Sequence, residues 1–234
     1  MPFLALWGRK YLPISHPIAT FFVNCAAGTL PAVSNVDPRF LGEESGTSGD
    51  DHPHADIRNG EVFLDQVYTA VTASPAWSST LLVFNFDEWG GFFDHVPPPA
   101  APIPPATLAA GDTDGRRGFR VPALIIAPWA RRGAVAHKLF DHTSVLSMIE
   151  WRWGLPPLTI RDKTAHNLAS ALDFEHPLVT APQFNVPPGP FGGACPVGAP
   201  GATSNAATSN AATSNSNEEW TAIQTLARQY GWPV

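Results

Sequence analysis

Charge is scarce in this sequence. Only 15% of its 234 residues are charged, and 14 Lys+Arg against 20 Asp+Glu leave a net charge of −6. That balance excludes a protein built to coat nucleic acid, which carries a basic excess. Cysteine is almost absent. Cys25 and Cys195 do not make a disulfide framework, and free buried thiols are the simpler expectation. No apolar run approaches the roughly 20 residues that cross a bilayer, so no transmembrane segment is expected. Residues 1–7 place no basic stretch ahead of their short apolar run, which predicts no signal peptide and leaves the compartment open. There is no GxSxG, P-loop, CxxC or HExxH motif, and no Ser, Thr or Cys stands out as an activated nucleophile.

What is present is a core and the loops around it. The hydrophobic fraction is 44%, with 8 Trp and 14 Phe, enough for a sizeable interior. The 19 Gly and 25 Pro predict long, punctuated connections. Residues 19–27 read as a short helix ended by Gly28, and residues 32–36 as a strand stopped by Asp37-Pro38. From Ile57 to Ala73, Val62, Phe63, Val67, Tyr68 and Val71 fall at helical spacing, with Asp56 as cap and Ser74-Pro75 as stop. Residues 80–86 and 119–129 are short apolar runs of the kind buried on both faces in a parallel sheet. Residues 96–105 form a stiff proline stretch. Asp141-His142-Thr143-Ser144 opens a helix to about Trp153, and residues 167–172 predict one more turn. Three ATSN copies within residues 202–215 read as a flexible linker, and residues 218–230 as a helix. The order of strands and helices predicts an α/β fold with a mostly parallel sheet. Its ligands would sit beyond the C-terminal ends of the strands.

That rule singles out Asp87-Glu88-Trp89-Gly90-Gly91, directly after the first apolar run. Two adjacent carboxylates at a turn of two glycines suit a hard divalent cation. A solvated acidic loop is the competing interpretation. Asp50-Asp51-His52-Pro53-His54-Ala55-Asp56 stands at the entrance of the helix that leads into the same strand. A histidine there suits protonating a leaving group or contacting an anion; surface histidines beside an N-cap are the alternative. His142 lies at a helix start near Arg131-Arg132, a setting that favours anions. A capped helix with a satisfied loop histidine is the plainer account.

At these residues the chain resembles the phosphoesterase family that includes bacterial non-specific phospholipases C and acid phosphatases. The resemblance rests on CAAGTLPAVSNVDP (25–38), DDHPHADIRNGE (50–61), FDEWGGFFDHVPPP (86–99), FRVPALIIAPWARRG (119–133) and DHTSVLSMIEWRWGL (141–155), in that order. It implies an alkaline-phosphatase-like fold and hydrolysis of phosphate esters, phospholipids among them, with a divalent metal. It also implies metal ligation by Asp87 and Glu88, and a phosphate or leaving-group contact from His52, with His54 as a second match. The family's early Glu-Asn pair and its Ser/Thr nucleophile have no counterpart here, so the chain resembles a C-terminal half that lacks its N-terminal partner.

The expected organisation is a phosphoesterase portion over residues 1–185, a linker over 186–216 and a terminal helix over 217–234. His52, Asp87 and Glu88 are expected to converge on one concave site. Two other functions stay open: a non-catalytic homologue that binds a phosphate group or a partner chain, and a proline-rich docking segment at 97–105.

Overall fold

The computed structural model describes residues 11–192. Helix α1 (Ile18–Ala27) ends where Gly28 turns left-handed at φ 69° and donates its N–H to the carbonyls of Asn24 and Cys25. Only glycine adopts that conformation without strain. Helix α2 (Ile57–Thr72) begins at Asp56, whose carboxylate accepts from the Arg58 N–H, and it buries Gly60, Val67, Tyr68 and Val71. Val67, Tyr68 and Val71 stand 7, 8 and 11 positions after Gly60, spacings that share one face of an amphipathic helix. A 3-10 turn (Trp77–Ser79) leads into β1 (Leu82–Asn85). Helix α3 (Pro105–Ala109), strand β2 (Ala123–Ile126), helix α4 (Thr143–Trp153), helix α5 (Ile160–Thr164) and a 3-10 turn (Leu168–Ala171) complete the order.

The core lies where α1, α2 and β1 meet. Cys25, Val67, Val71 and Trp77 are buried together, with Phe21, Leu30, Val36, Phe63, Leu82, Phe84 and Ile126 packed around them. Each such apolar side chain contributes about 1.5–3 kcal/mol on full burial. Cys25 is a free buried thiol whose pKa is pushed up by burial.

The remaining chain returns as a strap over α2. Trp77 Nε1 donates to the Val179 carbonyl (2.8 Å) and the Tyr68 hydroxyl to the Pro182 carbonyl (2.6 Å). Arg132 reaches the carbonyls of Leu178 and Thr180. At the far end the Asn59 amide makes two bonds to the backbone of Phe191, at 2.9 and 2.8 Å.

The structure differs from the sequence expectations in several places. β1 and β2 pair antiparallel, with Leu82 opposite Ile126 and Asn85 opposite Ala123, and they are the whole sheet among the described residues. This is a mixed helix and small-sheet α/β arrangement, and the expectation of a mostly parallel sheet is not met in it. An apolar run reports burial, not direction, and the long irregular connection between the two strands brings the chain back the other way. Neither strand is fully buried, and Leu124 is exposed. Residues 32–36 form no strand; Val36 packs on the core, but no neighbouring strand pairs with the segment there. The proline stretch ends in α3, because a proline is well suited to a helix's first turn. Helix α5 was not expected; a reciprocal capping box between Thr159 and Asp162 starts it. The ATSN linker, the terminal helix and any pairing of Cys195 lie outside the described residues. Among the described residues, no helix is long and apolar enough to cross a membrane.

Candidate functional site

The histidine loop is built from its acidic residues outward. Asp50 is buried, and its carboxylate accepts from the Ser48 hydroxyl (2.6 Å) and from the His52 N–H (3.3 Å). Asp51 lies against α2, with Oδ1 1.9 Å from where a β-carbon on Gly60 would stand. Gly60 is therefore obligatory: it lets the loop and helix approach closely. Burial pushes the Asp51 carboxyl above the usual aspartate range, and the charges of Glu61 and Asp50 add to that. Oδ2 of Asp50 and Oδ1 of Asp51 are buried without a hydrogen-bond partner.

This packing sets the pose of His52. Its Nδ1 accepts from the His54 N–H at 3.4 Å, its Nε2 lies 3.9 Å from the Glu43 carboxylate, and the two histidine rings meet edge to face at 5.4 Å. An accepting Nδ1 places the ring proton on Nε2. The loop is also tied to the strap. A β-carbon on Gly192 would meet the Gly46 carbonyl and the Asp56 side chain, and the Phe191 ring lies under the Arg58 guanidinium at 4.6 Å.

The carboxylate loop follows β1. Asp87 and Glu88 are exposed, and Oδ1 of Asp87 accepts from the Glu88 N–H at 3.1 Å. Among the described residues neither forms a salt bridge to Lys, Arg or His. Gly90 and Gly91 turn the chain at φ 67° and 77°. Trp89 packs on Phe119 with ring centroids 5.2 Å apart, while Phe92 and Phe93 face outward. The loop is held at Asp94, which accepts from the Arg120 N–H (3.2 Å), Nε (2.8 Å) and a terminal guanidinium nitrogen (2.7 Å). The Arg120 guanidinium holds the Asp94 carboxyl well below the usual range. At the other end, the Phe86 carbonyl meets Nε2 of His142 at 2.7 Å.

The two loops touch. A β-carbon on Gly90 would lie 3.0 Å from Cγ of Pro53, the residue after His52. The donor chemistry of Asp87 and Glu88 fits a hard divalent cation as far as it goes. Two carboxylates with no cationic side chain on them supply oxygens, and such ions take six or more. Among the described residues, no group of three or more His, Cys, Asp and Glu side chains is arranged to hold a metal. A groove of about 420 Å³ lies beneath the strap between Arg39, Ser48, Asn59, Phe63 and Pro190; His52, His54, Asp87 and Glu88 are not in its lining.

At His142 the plainer account, a satisfied loop histidine, is the one the structure shows: its ring faces a carbonyl, and the Arg132 guanidinium is engaged by the strap. Two other contacts escaped the sequence reading. Nothing in the sequence around Asn59 points to Phe191, far along the chain. Gly60 could have been noticed, because an interior helical glycine is costly without a packing reason.

The Phosphoesterase family matches residues 7–156. Non-specific phospholipase C3 of Arabidopsis thaliana is 33% identical over 188 residues, 74% of this chain and 36% of the relative. Non-specific phospholipase C6 of the same plant is 34% identical over 160 residues, 62% and 31% of the two chains. Phospholipase C B of Mycobacterium tuberculosis (strain ATCC 25618 / H37Rv) is 38% identical over 165 residues, 63% and 30%. The chain thus spans about a third of the length of the relatives it matches. With the family match running from before α1 to the end of α4, through both candidate loops, the chain belongs to the phosphoesterase family.

Proposed function

We propose that this chain is the cation-binding and leaving-group side of a phospholipase C-type phosphoesterase. Its substrate would be a phosphate ester, a phospholipid diester above all. One observation carries the reading: the adjacent carboxylates of Asp87 and Glu88 stand exposed just after β1, within the matched residues and with no ion pair to Lys, Arg or His among the described residues. They would hold a divalent cation, which when bound supplies Lewis-acid stabilisation of charge on the phosphoryl oxygens. We infer that β1 and β2 belong to a larger, mostly parallel sheet of alkaline-phosphatase-like type. The rest of the relatives' length would complete it, carrying the nucleophile and the remaining ligands. Residues 1–185 would form this portion of the domain.

With Nδ1 accepting from the His54 N–H, Nε2 is the ring nitrogen left to donate to a departing oxygen. Asp50 and Asp51 fix its backbone, and His54 supplies the N–H that sets its tautomer.

The test is hydrolysis of phosphatidylcholine by the 234-residue chain, alone and joined to the part of a relative that lies outside the matched segment. The chain alone should work near background with Mg²⁺, Ca²⁺, Mn²⁺ or Zn²⁺. The joined form should turn over, and Asp87→Asn should remove two or more orders of magnitude, roughly the loss expected when a group acting as part of a catalytic unit is removed. An active joined form indifferent to Asp87→Asn would overturn the assignment. A joined form that binds phosphate but never turns over would favour a non-catalytic homologue.

A further inference from the structure

We propose that His142 is a positioning residue for the carboxylate loop, holding the peptide that launches Asp87 and Glu88 from the end of β1. The proposal rests on the reading of those carboxylates as cation ligands. A carbonyl oxygen only accepts, so the 2.7 Å contact between Nε2 of His142 and the Phe86 carbonyl is a bond that the ring donates. That carbonyl belongs to the planar peptide unit that also contains the Asp87 nitrogen. Orienting it orients the whole unit, and with it the direction in which the Asp87 side chain leaves the backbone. Among the described residues Asp87 and Glu88 gain little other support, since both are exposed and the Asp87 carboxylate accepts from the Glu88 N–H.

The anchor is itself well fixed. His142 sits in helical conformation at φ −56° and ψ −32°, immediately before α4. Asp141 beside it accepts from the Thr143 N–H (2.9 Å) and hydroxyl (2.5 Å), and the buried Ser144 hydroxyl accepts from the Asp141 N–H (3.1 Å). The other Asp141 oxygen accepts from Arg117 Nε at 2.6 Å, and the same guanidinium donates to the Ala100 carbonyl. One helix start therefore holds the chain before Asp87 through His142 and the chain after the loop through Asp141 and Arg117. Support of this kind behind metal ligands commonly governs affinity as much as the ligands do, with losses of about 10–100-fold when it is removed.

The experiment compares the full chain with His142→Leu, which cannot donate, and His142→Gln, whose amide can. Hydrogen exchange of residues 84–93 is read by mass spectrometry, with residues 57–72 of α2 as the internal control. His142→Leu should speed exchange in the loop roughly three- to tenfold, the scale of one lost hydrogen bond. It should leave α2 unchanged, and His142→Gln should restore most of the protection. Loop exchange that is the same in His142→Leu, or that rises equally in α2, overturns the proposal. A Mn²⁺ titration followed by water-proton relaxation separates this failure from that of the parent reading. Affinity lost in Asp87→Asn and lowered about tenfold in His142→Leu supports both. Affinity lost in Asp87→Asn but intact in His142→Leu overturns the positioning role alone. Affinity intact in Asp87→Asn overturns the cation reading, and with it the purpose assigned to His142.

Discussion

The histidine loop and the carboxylate loop are anchored differently. The first is packed from below: Asp50 is buried, Asp51 lies against Gly60, and the end of the strap reaches Gly46 and Asp56. The second is held at its ends, by His142 at Phe86 and Arg120 at Asp94, with Trp89 resting on Phe119 between them, while Phe92 and Phe93 stand open, Phe93 at 90% exposed. The difference teaches where the described residues pack under a loop and where they hold it mainly by its ends. The histidine side is seated on α2 through Asp51 and Gly60. The carboxylate side offers charges and aromatic surface with little among the described residues facing them.

Four substitutions sharpen that contrast. The largest effect is expected at Gly60. A β-carbon there would press on Asp51 Oδ1 at 1.9 Å and on the Asp50 carbonyl at 2.9 Å. Gly60→Ala should cost about 1–3 kcal/mol, the usual range for overpacking, read by urea unfolding. An unchanged midpoint would mean that the loop is not seated on α2. Next is Asn59→Ala, which removes both bonds to Phe191. A loss of about 1–2 kcal/mol is expected, with faster proteolysis near residue 191. A stable variant with an unaltered cleavage pattern would detach the strap from the account.

Asp94 tests the other loop through pH. Its folded pKa is depressed by Arg120, so its contribution is present above the unfolded aspartate value of about 3.9 and is lost as pH falls through the depressed folded value. Asp94→Asn should therefore be less stable than the parent at neutral pH, and the gap should close in strong acid. A gap that stays constant with pH would refute the charge pairing. The smallest effect belongs to Phe93→Ser, which should change stability by under about 0.5 kcal/mol, because the ring is 90% exposed among the described residues.

The helices were legible in the sequence where pattern and punctuation agreed. α2 has its apolar face, its Asp56 cap and its Ser74-Pro75 stop; α1 and α4 each end at a left-handed glycine. Strand direction was not legible, since residues 80–86 and 119–129 would read the same in either orientation. Of the site, the residue types and their placement after β1 and before α2 could be read locally. What holds them could not be. The partners of Phe86, Asn59 and Asp94 lie 56, 132 and 26 residues away, and no local spacing encodes such pairs.

Mn²⁺-induced broadening in the NMR spectrum of the full chain tests most directly whether the histidine loop lies beside a cation held by Asp87 and Glu88. The account predicts that the Asp87 and Glu88 amides broaden first, with the His52 ring protons affected at the same low Mn²⁺ concentration, and that Asp87→Asn abolishes both effects. Broadening centred on Asp50 and Asp51, or affecting Asp87 and Glu88 while His52 stays sharp, would contradict it.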